Sequence, residues 1–155
     1  MGHTVLAVPV PELDGLVRER TEFYDASFVS SDPGFVHAHI TVLAPWVPKP
    51  TKEDVATVAR IAAAVRPVEV TLADLDVFPD GTIHLRPEPD EPFRALTAAV
   101  TAAYPQHPPY AGRFPDPIPH LTLDHVAGGV TREEVRARLI GQHPITFVLD
   151  RLDLQ

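Results

Sequence analysis

The segment His39-Ile40-Thr41-Val42 recurs as His120-Leu121-Thr122-Leu123, and the recurrence extends well beyond four residues. Thr51-Lys52-Glu53-Asp54-Val55 matches Thr131-Arg132-Glu133-Glu134-Val135. Pro67 to Asp76 matches Pro144 to Asp153, with Leu72/Leu149, Leu75/Leu152 and Asp76/Asp153 in step, and Pro9 and Pro11 match Pro87 and Pro89. The offsets are 81 residues for the histidines, 80 for the two threonines before the acidic runs, 77 for the strand segments and 78 for the prolines. Near-constant spacing over four segments is the mark of an internal repeat. A chain of 155 residues built this way is expected to form a single two-lobed domain over residues 1–155. Repeat 1 spans about 1–80 and repeat 2 about 81–155, the two related by a pseudo-two-fold axis.

Each repeat reads β-α-β-α-β, an α+β class. In the first, a strand over Thr4–Val8 leads to a helix over Glu12–Tyr24, where Leu13, Leu16, Val17 and Phe23 recur near helical spacing. The motif strand spans Phe35–Ala44. A helix capped by Thr51 follows, with acidic residues in its first turn, and then a strand over Pro67–Phe78. Asp80-Gly81 predicts a tight turn into Thr82–Arg86 and so a hairpin. The second repeat predicts a helix over Pro92–Tyr104 (Phe93, Leu96, Val100) and a Pro-rich loop over 105–119. The second motif strand covers Ile118–Val126. A helix with the Thr131/Glu134 capping-box pattern and a closing strand over Pro144–Leu154 complete it.

Composition narrows the function. The net charge of −8 disfavours a grip on duplex DNA, which needs clustered Lys and Arg, but leaves a small phosphate ligand open. The absence of Cys removes thiol catalysis, disulfide scaffolds and Cys-ligated zinc. Neither an apolar run of membrane-spanning length nor a signal-peptide pattern occurs, so a cytoplasmic, monomeric chain without a membrane partner is expected.

Residues two apart on a strand share a face, so each motif presents a His beside a Thr. A two-fold axis then sets His39 and His120 opposite one another, flanked by Thr41 and Thr122. Imidazole near its ordinary pKa of about 6.5 serves as base or acid at neutral pH. One His activating a water or hydroxyl while the other protonates a leaving oxygen is the requirement for phosphoester cleavage. Thr hydroxyls suit the non-bridging phosphate oxygens, and no cofactor or metal is called for.

Two H-x-T-x motifs about eighty residues apart in a duplicated α/β chain resemble the two-histidine phosphoesterase superfamily, which includes 2′-5′ RNA ligases and cyclic nucleotide phosphodiesterases. The resemblance implies a bilobal fold whose antiparallel sheets line a central cleft with helices outside. It also implies metal-independent chemistry on 2′,3′-cyclic phosphates or related 2′-linked phosphodiesters, in the hydrolytic or the ligating direction. His39 and His120 would be the catalytic pair and Thr41 and Thr122 the phosphate-binding hydroxyls. The partner would be a small cyclic-phosphate nucleotide or RNA end rather than a tRNA-sized substrate. A non-catalytic nucleotide or RNA-end binding module on the same fold, and a factor that needs a large RNA, are the competing readings.

Other residues have open readings. His37, two before His39, is a substrate contact, half of a metal site or a rim residue; its counterpart is Ile118. Tyr110, Arg113 and Phe114, in the loop before the second motif, would stack on a base or meet a phosphate, or simply pack the loop. Trp46 is a ligand contact or a core anchor. His125, at an odd offset from His120, is expected on the opposite strand face. His84 either reaches the cleft or is exposed, and His3, His107 and His143 are expected at the surface or in turns.

Overall fold

The computed structural model describes residues 4–114, 116–141 and 144–155; His3, Pro115 and His143 lie outside the described residues. The strands are β1 Leu6–Pro9, β2 His39–Leu43, β3 Val68–Val77, β4 Thr82–Glu88, β5 Leu121–His125, β6 Ile145–Leu149 and β7 Asp153–Leu154. The helices are α1 Asp14–Asp25, α2 Lys52–Ala63, α3 Glu91–Ala103 and α4 Arg132–Arg138. All strand pairings are antiparallel, in the order β6-β3-β4-β5-β2-β1-β7. Strands β6 and β7 occupy opposite ends of that row, yet only Asp150 to Leu152 separate them along the chain. That link reaches at most about 14 Å, whereas seven flat strands would set the ends about 29 Å apart. The sheet therefore curls until its two ends come together.

The registers repeat with the offsets seen in the sequence. Ala7 pairs with Thr41 and Val8 with Ile40; His84 pairs with Thr122 and Leu85 with Leu121. Ala7 also pairs with Asp153, as His84 does with Asp76. Two pairings couple equivalent residues to each other: Ile40 with Leu121, and Val70 with Phe147. The Asp80-Gly81 hairpin forms as expected, with Gly81 at φ 98° and the Phe78 N–H donating to Thr82 O at 2.9 Å.

Alternation along the strands sends Leu6, Val8, Ile40, Val42, Leu85 and Leu121 into the core, where each large apolar side chain contributes about 1.5–3 kcal/mol. Helix α3 buries the expected Phe93, Leu96 and Val100. Helix α1 buries less than its pattern suggests. Leu16 and Val17 pack against the core, but Phe23 is 62% exposed, its ring lying 4.3 Å from the Arg20 guanidinium. Thr51 caps α2 through a reciprocal box with Asp54, and the Thr131 hydroxyl accepts from the Glu134 N–H at the start of α4.

The motif strands are shorter than their apolar runs. Ahead of β2, the N–H groups of His37 and Ala38 donate to the Asp14 carboxylate of α1 instead of to a strand. The closing strand divides because its first part pairs with β3 and its last part with β1. Trp46 is a core anchor, 1% exposed and edge-on to Tyr104 at 5.3 Å. It is not among the residues lining the cleft that holds the two motifs, so of the two readings the structure places it as the core anchor.

Candidate active site

Strands β2 and β5 meet at Ile40 opposite Leu121, both fully buried. The residues on either side of each therefore face the other way. Extending the register by one residue in each direction sets His39 across from Thr122 and Thr41 across from His120. The result is a square in which His and Thr alternate at the corners. All four side chains line one cleft of about 310 Å³, together with His37, Arg20, Tyr24, Asp124 and His125.

Both histidines are oriented in the same way. His39 Nδ1 donates to the His37 carbonyl at 2.8 Å and His120 Nδ1 to the Ile118 carbonyl at 2.7 Å. A carbonyl only accepts, so the Nδ1 proton is held and Nε2 is left as the working nitrogen. Burial pushes both pKa values below the ordinary histidine range, opposed by those carbonyl bonds; His37 charge lowers His39 further, and Asp80 charge works against the lowering at His120. The lowering favours the neutral form of both rings. Among the described residues, neither the Thr41 nor the Thr122 hydroxyl has a hydrogen-bond partner, so both are free to donate.

His37 is 7% exposed. Its Nε2 accepts from the Ser30 N–H at 3.1 Å and its Nδ1 lies 3.5 Å from Asp14. Both ring nitrogens are thereby directed at the protein, although the residue borders the cleft. Among the described residues no group of three His, Asp or Glu side chains is placed to hold a metal ion.

Tyr110, Arg113 and Phe114 are not brought to this cleft. Tyr110 is edge-on to Phe114 at 5.5 Å. Phe114 lines a separate hollow of about 650 Å³ between α3 and the 108–119 loop, which contains neither motif, and Arg113 is exposed. The larger hollow is lined by no histidine, and its ionisable groups, Arg94 and Asp116, are paired with each other at 2.7 Å, so the smaller cleft is the candidate site. His125 borders this cleft despite its odd offset, because β5 ends there and its Nδ1 accepts from the Ala127 N–H at 3.0 Å.

Sequence reading missed two groups. Arg20 and Tyr24 reach the cleft from α1: Arg20 Nε donates to Asp124 at 2.5 Å, and the Tyr24 hydroxyl donates to the other carboxylate oxygen. The i, i+4 spacing of Arg20 and Tyr24 was visible, but its partner lies a hundred residues on. His84 is wholly buried, stacked on Phe78 at 3.6 Å and edge-on to His120 at 5.4 Å. The hairpin and the repeat offset together place His84 beside Thr122, which was the available signal.

A family model described as the 2′-5′ RNA ligase superfamily matches residues 9–155. The chain belongs to that superfamily. No curated protein matches it in sequence. Among solved structures, E. coli LigT complexed with 3′-AMP is 16% identical with a TM-score of 0.56, over 98% of this chain and 86% of that one. A phosphoesterase of known structure is 16% identical with a TM-score of 0.54, at the same coverage. E. coli LigT complexed with NADP+ is 17% identical with a TM-score of 0.51, over 98% of this chain and 85% of that one. At these identities the likeness is one of fold, which for this superfamily member is the curled antiparallel sheet with its helices. Membership in a superfamily of ligases and phosphoesterases accords with the two-histidine resemblance. No described helix of this superfamily member is long and apolar enough to cross a membrane.

Proposed function

We propose that this chain is a metal-independent phosphoesterase acting on a 2′,3′-cyclic phosphate or a related 2′-linked phosphodiester, with His39 and His120 as its acid–base pair. The observation that supports this most is the alternating His/Thr square, with both Nδ1 protons tied back and both Nε2 atoms free. The two repeats, about 1–80 and 81–155, would each supply one His and one Thr.

The phosphate sits over the square and takes hydrogen bonds from Thr41 and Thr122 on its non-bridging oxygens, which carry the charge that grows in the transition state. Its negative charge restores basicity to the buried imidazoles, so one of them holds a second proton. The neutral His removes a proton from water as the water oxygen forms its bond to phosphorus. The bond from phosphorus to one ribose oxygen breaks in line, and the protonated His delivers its proton to that oxygen. The two histidines end with their protonation states exchanged, and solvent resets them. Ligation follows the same sequence with a ribose hydroxyl of a second nucleotide attacking phosphorus in place of water, so that the ring-opened product is a phosphodiester.

The test is turnover of 2′,3′-cyclic nucleotides by the wild-type chain and by His39→Ala and His120→Ala proteins, with the product phosphate position identified. Each substitution is expected to lower kcat by at least about a hundredfold. Undiminished activity in either variant refutes the mechanism. Binding of the nucleotides without turnover in the wild type would assign the fold to a binding module instead.

A further inference from the structure

We propose that Arg20 forms a second anion subsite, which takes a phosphate group one ribose unit away, on the 5′ side, from the cyclic phosphate held at the histidines. This rests on the functional reading above and deepens it, because it distinguishes a bare cyclic nucleoside phosphate from a substrate that carries a further phosphate.

Three observations carry it. Arg20 is the one Lys or Arg among the described residues lining the cleft, in a chain of net charge −8. Its guanidinium is fixed in place, with Nε on Asp124 and its Cζ 4.3 Å from the Phe23 ring centre, yet its Nη2 is buried with no hydrogen-bond partner. A buried donor without an acceptor is destabilising, and holding Asp124 does not require it. That carboxylate also accepts from the Tyr24 hydroxyl, the His125 N–H and Arg138 Nη1. Nη2 of Arg20 is thus surplus to docking α1 on β5, and Arg20 is one of the residues that line the cleft.

Position sets what that arm would meet. Asp124 lies two residues beyond Thr122 on β5, about 7 Å along the strand. Arg20 therefore addresses a group beyond the phosphate held by the threonines, at a reach suited to the next phosphate along one ribose. Among the described residues lining the cleft, the other end of the square has no such device. At the motif offset of 81, the residue equivalent to Asp124 is Leu43, fully buried and apolar. Arg20 accordingly gives a nearly symmetric site a direction, with the 5′ side of the substrate toward α1.

The experiment compares kcat/KM for adenosine 2′,3′-cyclic phosphate with that for the same compound bearing a 5′-phosphate. A dinucleotide ending in a cyclic phosphate and ADP-ribose cyclic phosphate serve as two natural forms of the second anion. The wild type is expected to favour the 5′-phosphorylated compound by about tenfold or more, as a charge-assisted bond gives, and added salt should narrow the ratio. Arg20→Gln should bring the ratio to about one, while Arg20→Lys retains part of it. A wild-type ratio near one, or a ratio that Arg20→Gln leaves intact, overturns the proposal. If Arg20→Gln does not fold, the wild-type ratio and the Arg20→Lys protein decide. If neither compound is turned over, the functional reading fails. The subsite is then judged separately by calorimetry, as the ratio of Kd values for adenosine 3′-phosphate and adenosine 3′,5′-bisphosphate in wild type and Arg20→Lys.

Discussion

Replacing Asp124 with Asn tests how the cleft wall is held. The Asp124 side chain is 1% exposed and the Arg20 side chain 11%, with Nε to carboxylate at 2.5 Å. Removing one charge of a buried pair while leaving the other typically destabilises by about 3–5 kcal/mol. Arg138, the second arginine on this carboxylate, is 36% exposed at 3.4 Å and regains water easily, so the loss falls mainly on Arg20. The low end, about 3 kcal/mol, is expected. For a domain of this size each kcal/mol lowers Tm by roughly 2–4 °C, which gives a fall of about 6–12 °C by calorimetry. In an Arg20→Gln background the same substitution should have a smaller effect, since the pair is already broken. A fall of under about 2 °C, or an equal fall in both backgrounds, would refute the coupling.

Gly128 should not tolerate a side chain: a Cβ there would sit 1.8 Å from the Tyr24 hydroxyl oxygen. Gly128→Ala is expected to push Tyr24 off Asp124 and remove about 1–3 kcal/mol in urea unfolding; unchanged stability would show that Tyr24 is not held there. The Thr122 side chain is exposed and its hydroxyl is unpaired among the described residues, so Thr122→Val should leave Tm unchanged while lowering kcat about a hundredfold. An unchanged kcat would remove Thr122 from the phosphate site. Burial lowers the folded-state pKa values of His39 and His120 below about 6.5. The unfolded chain therefore takes up more protons, and the stability these groups contribute is complete above about pH 6.5 and is lost as pH falls from there through their lowered values. Thermal melts should show a fall in Tm from pH 7.5 to 5.5 that His39→Gln reduces; an identical slope in that variant counts against the assignment.

The motif strands, the hairpin and the α3 core face were legible because each rests on local periodicity, and the register offsets were visible because the repeat leaves them in the sequence. What stayed hidden depended on distant partners. Phe23 fits the apolar spacing of α1 but is turned outward against Arg20. Trp46 follows a motif strand, yet a turn carries it into the core. The loop of Tyr110, Arg113 and Phe114 precedes the second motif in sequence but packs toward α3. Nothing local to Arg20 indicates that Asp124 will stand beside it.

The two ring-orienting bonds, from His39 Nδ1 to the His37 carbonyl and from His120 Nδ1 to the Ile118 carbonyl, have a consequence for mutational robustness. Where a carboxylate fixes a histidine, a single codon change deletes the orienting group. Here the acceptor is main chain, which no substitution deletes, and the residues supplying it are as unlike as His and Ile. Each histidine carries its own tautomer control within three consecutive residues. Two copies of one short segment, brought edge to edge, would then be enough to set the proton positions of the whole site.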